Sequence, residues 1–332
     1  MYLDVNSIKR NGYLEVKIDK SVDLPAEITS LKKKKNAVVL GHYYQVPEIQ
    51  EISDFVGDSL ALSQQAAKTN ADIIVFAGVH FMAETAKILS PEKKVLIPDL
   101  KAGCSLADSA PAKEFAEFLK KHPGHTVISY VNTTAEIKAM TDIICTSSNA
   151  KEIIESLPEN EKIIFAPDRN LGNHLNSITG RNMILWNGTC HVHEKFSLEK
   201  IIDIKKQNPD AKLIAHPECE RPILLVSDFI GSTSALLKYT GTSKSEKFIV
   251  ATESGIIHQM RKLSPAKKFI PAPPNDSTCA CNDCEFMKLN TLEKMYICMK
   301  YEMPEINVDE NIRKRAEIPI RRMLEISKRL GL

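Results

Sequence analysis

S-D-F-V-G-D-S at residues 53–59 returns as T-D-I-I-C-T-S-S at 141–148 and again as S-D-F-I-G-S-T-S at 227–234. The copies begin 88 and 86 residues apart, so one unit is repeated three times along the chain. Upstream of each copy lies an apolar run that ends in polar residues: AVVLGHYY (37–44), TVISYVNT (126–133) and KLIAHPE (212–218). Downstream come two more runs per unit. They are DIIVFAG (72–78) and KVLIPDL (94–100), KIIFAPD (162–168) and NMILWNG (182–188), KFIVATE (247–253) and KKFIPAP (267–273). Short, nearly unbroken runs rich in Val and Ile are what strands covered on both faces of a parallel sheet require. Helix-like stretches such as SLALSQQAAKTN (59–70) and MAETAKIL (82–89) separate them. This alternation predicts an α/β fold of three homologous Rossmann-like units with parallel sheets, arranged about a pseudo-threefold axis. The units are expected at 21–115, 116–203 and 204–290. Residues 1–20 form an extension. A helical segment at 291–332 follows N-T-L-E, read as a capping box starting at Asn290, and its helix is expected to dock on the outside.

The chain has 332 residues, 43% hydrophobic and 26% charged, which suits a globular protein with real cores. Its 44 basic and 42 acidic residues leave a formal charge of +2. That balance gives no reason to expect nucleic acid or a membrane as partner. No apolar run approaches the roughly 20 residues of a membrane span. The first twenty residues lack a signal-peptide apolar region, so a cytoplasmic location is expected.

Eight cysteines are many for a reducing compartment, and there they point to metal or catalysis before disulfides. Cys145 and Cys298 sit in apolar contexts and read as buried structural residues. Cys104 and Cys190 each follow the last apolar run of a unit, and Cys279, Cys281 and Cys284 cluster after the last run of the third. The repeat offsets align further residues. His42, Tyr130 and His216 share one register; so do Tyr44, Asn132 and Glu218, and then Ser59, Ser147 and Thr233. In open parallel sheets, ligands bind beyond the carboxyl ends of the strands, where all of these lie. If the units face one another, the loops converge on one cavity. Three loops each giving one thiolate is the arrangement expected of an iron–sulfur cluster with one iron left free, since fully coordinated clusters usually take four cysteines. The C-A-C-N-D-C group alone also admits a zinc site or a redox disulfide.

Several strings resemble the quinolinate synthase family: GHYYQVPEIQEISDFVGDSLALSQQA, KAGCSLADSAP, YVNTTAEIKAM, NGTCHVHEKF, AHPEC and ATESG. The resemblance runs from about residue 30 to 305. It implies an enzyme of NAD biosynthesis that condenses iminoaspartate with dihydroxyacetone phosphate to quinolinate, releasing phosphate and two waters. It also implies one [4Fe–4S] cluster per chain on Cys104, Cys190 and a third cysteine; the x-x-M that follows makes this Cys284. The open iron would act as a Lewis acid. Glu218 is implied as the acid–base group and Tyr44 as a proton carrier, with Tyr130 and His42 beside them. His42, Ser59, Tyr130, Asn132, Ser147, His193, His216, Glu218, Ser232 and Thr233 are the expected substrate-holding residues. A further implied partner is the enzyme that makes iminoaspartate, an aspartate oxidase or dehydrogenase.

The bland readings are concrete. Ser59, Ser147 and Thr233 taken singly are plain helix N-caps. Asp54, Asp142 and Asp228 recur in all three units and read as structural. His80 and His258 read equally as cavity-lining or as packed polar residues. Two other functions stay open: a different open-iron hydro-lyase acting on a small carboxylate, and an iron–sulfur sensor. A sensor needs an output surface, and the sequence displays none.

Overall fold

A computed structural model describes residues 3–275 and 282–332. It contains three four-stranded sheets, parallel throughout. The first holds β1 (Ala37–His42), β2 (Phe55–Gly57), β3 (Ile73–Ala77) and β4 (Lys94–Leu96). The second holds β5 (Thr126–Tyr130), β6 (Ile143–Cys145), β7 (Ile163–Ala166) and β8 (Ile184–Leu185). The third holds β9 (Lys212–Ala215), β10 (Phe229–Ile230), β11 (Lys247–Ala251) and β12 (Lys268–Pro271). Spatial order is the same in each: β2-β1-β3-β4, β6-β5-β7-β8 and β10-β9-β11-β12. Every residue of β3 and β7 is buried, because helices cover both faces. That is why those strands read as unbroken apolar runs rather than alternating ones.

Each sheet has a strand that the sequence pattern did not announce. β2, β6 and β10 lie inside the repeated motif and are only two or three residues long. The motif's aspartate makes so short an edge strand possible. Asp54, Asp142 and Asp228 accept the backbone N–H of Val39, Val127 and Leu213, each at 2.8 Å. Their own N–H groups donate to the carbonyls of the same three residues at 2.9, 3.0 and 2.8 Å. One side chain thus adds a rung to the ladder in all three units.

The C-terminal segment differs in detail from expectation. Its first helix, Leu292–Tyr301, is capped by Thr291, whose hydroxyl accepts the Lys294 N–H at 3.3 Å. Asn290 lies one residue earlier and is buried, donating to the Gly78 carbonyl at 2.8 Å. With Lys294 at the third helical position there is no reciprocal carboxylate, so no capping box forms. The helix is not merely an outer layer: Met295, Ile297, Cys298 and Met299 are buried in the core it shares with the first sheet and helix Leu24–Lys34. The last helix, Glu310–Leu330, lies across the first two units, touching helix His80–Leu89, helix Ala135–Lys138 and β6. Its Ser327 accepts a hydrogen bond from Asn149 at 2.9 Å. Of the extension, Leu14 and Ser7 are buried and Gly12 accepts the Leu100 N–H at 2.8 Å.

Candidate active site

The carboxyl ends of the three sheets open onto one cavity. The first unit contributes His42, Tyr44, Asp58, Ser59 and Cys104 to its lining. The second contributes Tyr130, Asn132, Ser147, Cys190 and His193, and the third His216, Glu218, Thr233, Glu253 and Cys284. Every site residue expected from the sequence lines this cavity except Ser232. That residue is the N-cap of helix Thr233–Thr242, where its hydroxyl accepts the Ala235 N–H at 3.3 Å.

Capping explains which hydroxyls are free. Asp58 caps helix Ser59–Lys68 as Ser232 caps its counterpart, so Ser59 and Thr233 are relieved of that task. Ser147 differs from expectation. Its helix begins only at Ala150, with Asn149 before it, and Ser147 sits in the preceding turn.

The two histidines of the first register are locked alike. His42 Nδ1 accepts the Tyr44 N–H at 3.1 Å, and His216 Nδ1 accepts the Glu218 N–H at 3.4 Å. An accepting Nδ1 puts the proton of a neutral ring on Nε2, so each ring donates from Nε2. The Nε2 of His216 lies 3.2 Å from Ser147 Oγ. Burial keeps both rings neutral, lowering His42 to about 4 and His216 to about 3.

Glu218 is buried at the centre of a polar chain. Its Oε1 accepts the Tyr130 hydroxyl at 2.6 Å, and its Oε2 lies 3.0 Å from His193 Nδ1. That approach is close but off-axis, and His193 Nδ1 has no hydrogen-bond partner among the described residues. Burial favours the neutral acid, yet the adjacent His193 and His216 and the Tyr130 hydroxyl outweigh it, holding the carboxyl below the ordinary range. Burial and the Glu218 charge keep Tyr130 protonated. From His193 Nε2 the chain continues to Thr252 Oγ1 at 3.0 Å and on to Tyr44 Oη at 2.7 Å, which also meets Thr233 Oγ1 at 2.9 Å. Thr252 was not singled out from sequence. It stands in the quoted string ATESG, two residues before the serine, but carries no repeat partner of its own type.

Among the described residues Asn132 Oδ1 is buried without a hydrogen-bond partner. Its loop is fixed from behind: the buried Lys138 ammonium donates to the carbonyls of Val131 (2.9 Å) and Thr133. A buried acceptor left unpartnered on a fixed turn calls for a donor from water or a ligand.

Cys104, Cys190 and Cys284 face the cavity as free thiols, one from each unit. Burial pushes Cys104 up to about 12, Cys284 to about 11 and Cys190 well above its ordinary value. Thiols buried so ionise only beside a strong positive charge, which a metal centre supplies. Cys190, His193 and Glu218 also form a group that could hold a single ion, with ligand atoms all within 4.8 Å of one another. Cys279 and Cys281 lie outside the described residues. Cys145 and Cys298 are buried in the core, away from the cavity. His80 and His258 do not line it; His258 Nε2 lies 2.7 Å from Glu51.

Comparison with known proteins gives this geometry its family. The family model described as "Quinolinate synthetase A protein" matches residues 26–325. The quinolinate synthase of Trichormus variabilis is 63% identical over 306 residues, which cover 92% of this chain and 94% of that protein. That of Synechococcus sp. is 59% identical, covering 93% and 97%. That of Chloroherpeton thalassium is 59% identical, covering 92% and 95%. With three repeated α/β units, one shared cavity and matches across nine-tenths of the chain, the protein belongs to the quinolinate synthase family.

Proposed function

We propose that this protein condenses iminoaspartate with dihydroxyacetone phosphate to quinolinate, releasing phosphate and two waters, as a cytoplasmic step toward NAD. Cys104, Cys190 and Cys284 would hold a [4Fe–4S] cluster. The observation that carries the reading is the convergence of one cysteine from each unit on the cavity that also holds the Glu218 network. Among the described residues three free cysteines line the cavity, one from each unit, and three thiolates fit a cluster with one iron left for substrate. When bound, the cluster supplies a Lewis acid that draws charge from a departing hydroxyl.

The chain's own groups account for the rest. Ionised Glu218 is the base that takes a proton from carbon next to the imine or carbonyl. Tyr130 holds it through its hydroxyl, and His193 lies beside the other oxygen. Tyr44, bonded to Thr233 and Thr252, stays protonated and can hand a proton to a leaving oxygen. Neutral His42 and His216 donate from Nε2 without competing for substrate protons. The hydroxyls of Ser59, Ser147 and Thr233 and the amide N–H of Asn132 donate to carboxylate and phosphate oxygens.

A second reading places one ion on Cys190, His193 and Glu218. It leaves the Cys104 and Cys284 thiols without a task and takes Glu218 out of acid–base work. Anaerobic purification separates the two. The cluster reading expects four iron and four sulfide per chain, brown protein, and quinolinate formed from oxaloacetate, ammonia and dihydroxyacetone phosphate. A colorless protein holding a single ion would favour the second reading.

A further inference from the structure

Two residues past the third strand of each unit stand Val79 (after β3), Asp168 (after β7) and Glu253 (after β11). These positions face the cysteine loops. Asp168 Oδ2 accepts the backbone N–H of Cys190 at 3.2 Å, and Glu253 Oε1 accepts that of Cys284 at 3.2 Å. Both carboxylates are 0% exposed. Their second oxygens are occupied too. Asp168 Oδ1 caps helix Arg169–Thr179 through the Leu171 N–H at 2.7 Å, and Glu253 Oε2 takes the Gly255 N–H at 2.7 Å. Neither side chain can rotate without breaking a bond.

The backbone carries the same register. In the first two units the residue after the strand-end position donates to the carbonyl two residues before the cysteine: His80 to Ala102 at 2.7 Å, and Arg169 to Gly188 at 2.8 Å. Cys104 and Cys190 are therefore equivalent, and the bond to Glu253 gives Cys284 the matching place. In the first unit the carboxylate position is Val79, which offers no acceptor. Two ligand loops are clamped and one is not.

We infer that Asp168 and Glu253 are positioning residues for the cysteine-held group: each fixes one ligand loop through the cysteine's own N–H and turns that N–H away from the ligand sulfur. The inference rests on the cluster reading above. Cluster potentials depend on hydrogen bonds to the sulfurs, and an amide aimed at sulfur makes reduction easier. Committing two of three cysteine amides to carboxylates therefore favours the oxidised cluster, the state suited to Lewis-acid work rather than electron transfer. Outer-shell partners also hold the ligand in place, and their loss commonly costs about 10–100-fold in metal affinity.

The test uses the cluster-loaded full chain under anaerobic conditions, with two readouts: the rate of iron release to a chelator and the midpoint potential. Asp168→Asn and Glu253→Gln keep side-chain volume but leave one acceptor oxygen where two N–H groups need one each, and Glu253→Gln also loses the 2.7 Å ion pair with Lys288. Asp168→Ser keeps a cap for the helix and removes the reach to Cys190, so it preserves folding. All three should release iron about 10–100-fold faster than wild type. In all three the midpoint should move positive, as freed amides turn to sulfur. Wild-type rates and potentials in the variants would overturn the inference and leave the cluster reading intact. Faster release with an unmoved potential would overturn it as well, since general loosening would suffice. A wild-type chain that assembles no cluster after reconstitution with iron and sulfide would overturn both.

Discussion

Asp58→Asn tests the contact at which the three units meet. Asp58 Oδ2 accepts the Ser148 hydroxyl of the second unit at 2.7 Å and the Ser234 hydroxyl of the third at 2.5 Å. Its Oδ1 takes the Ala61 N–H of its own helix at 3.0 Å. The residue is only 6% exposed, so water does little to replace these bonds. Hydrogen bonds to charged groups contribute about 1.5–3 kcal/mol each. Asparagine offers a single acceptor oxygen. If that oxygen keeps the cap, both serines lose their charged acceptor and can only accept from the amide; if it serves the serines, the cap is lost at a cost of about 1 kcal/mol. The low end of two charged bonds puts the loss near 3 kcal/mol. Ser148→Ala and Ser234→Ala should each cost about 1.5 kcal/mol alone and much less when combined with Asp58→Asn. Urea unfolding of the singles and doubles measures this directly. A coupling of at least about 1 kcal/mol is expected in each cycle, whereas independent sites add within about 0.3–0.5 kcal/mol. Simple additivity would refute the clamp. Catalysis supplies a second check: Ser147 and Thr233 adjoin the clamped serines, so KM should rise more than kcat falls.

Glu218→Gln should keep fold and cluster while lowering kcat/KM by about 10²–10⁴-fold; near-wild-type turnover would remove Glu218 from the chemistry. Cys104→Ser, Cys190→Ser and Cys284→Ser should each give colorless, inactive protein, while Cys145→Ser, Cys279→Ser, Cys281→Ser and Cys298→Ser stay brown. A brown Cys284→Ser protein beside a colorless Cys281→Ser one would move the third ligand. His42 and His216 are held neutral, near 4 and 3, against an ordinary value of 6.5. As pH falls below 6.5 the unfolded chain takes up these protons first, so each residue removes up to about 1.4 kcal/mol of stability per pH unit down toward its folded value. Urea midpoints at pH 7, 6 and 5 should fall, and His216→Asn should flatten the slope; an unchanged slope would show that His216 is not held neutral.

The repeat made the sheets legible, because strands covered on both faces cannot hide their apolar runs. It did not disclose β2, β6 and β10. A strand of two or three residues has no pattern of its own, and here an aspartate side chain supplies the missing rung. Register also found the cavity wall, since equivalent positions in equivalent units must face the same place. What it missed were residues whose role depends on neighbours from another unit. Thr252 links Tyr44 to His193, and Asp58 ties Ser148 to Ser234, across sequence separations that no local pattern spans. Ser147 was placed at a helix start because its equivalents are; the second unit begins that helix three residues late, where Asn149 reaches Ser327 of the C-terminal helix.

How the three units differ says what each position is for. The motif aspartate is the same at 54, 142 and 228, and it does the same backbone work in each sheet. The cysteine is the same at 104, 190 and 284. A group held by three thiolates asks for one donor three times, so a threefold repeat meets that demand without change. The other positions diverge: His, Tyr and His at 42, 130 and 216; Tyr, Asn and Glu at 44, 132 and 218. A small substrate carrying carboxylates and a phosphate has no threefold symmetry. It needs a base on one side, a proton donor on another and neutral hydrogen-bond donors between. In the proposed reaction Glu218, Tyr44 and the Nε2 atoms of His42 and His216 would meet that demand from different units. Under the proposed function, positions that kept one residue would serve the frame or the group on the three cysteines, and positions that diverged would face the asymmetric substrate. By that rule Ser59, Ser147 and Thr233 belong between the two classes: hydroxyls in every unit, suited to anionic oxygens wherever they fall.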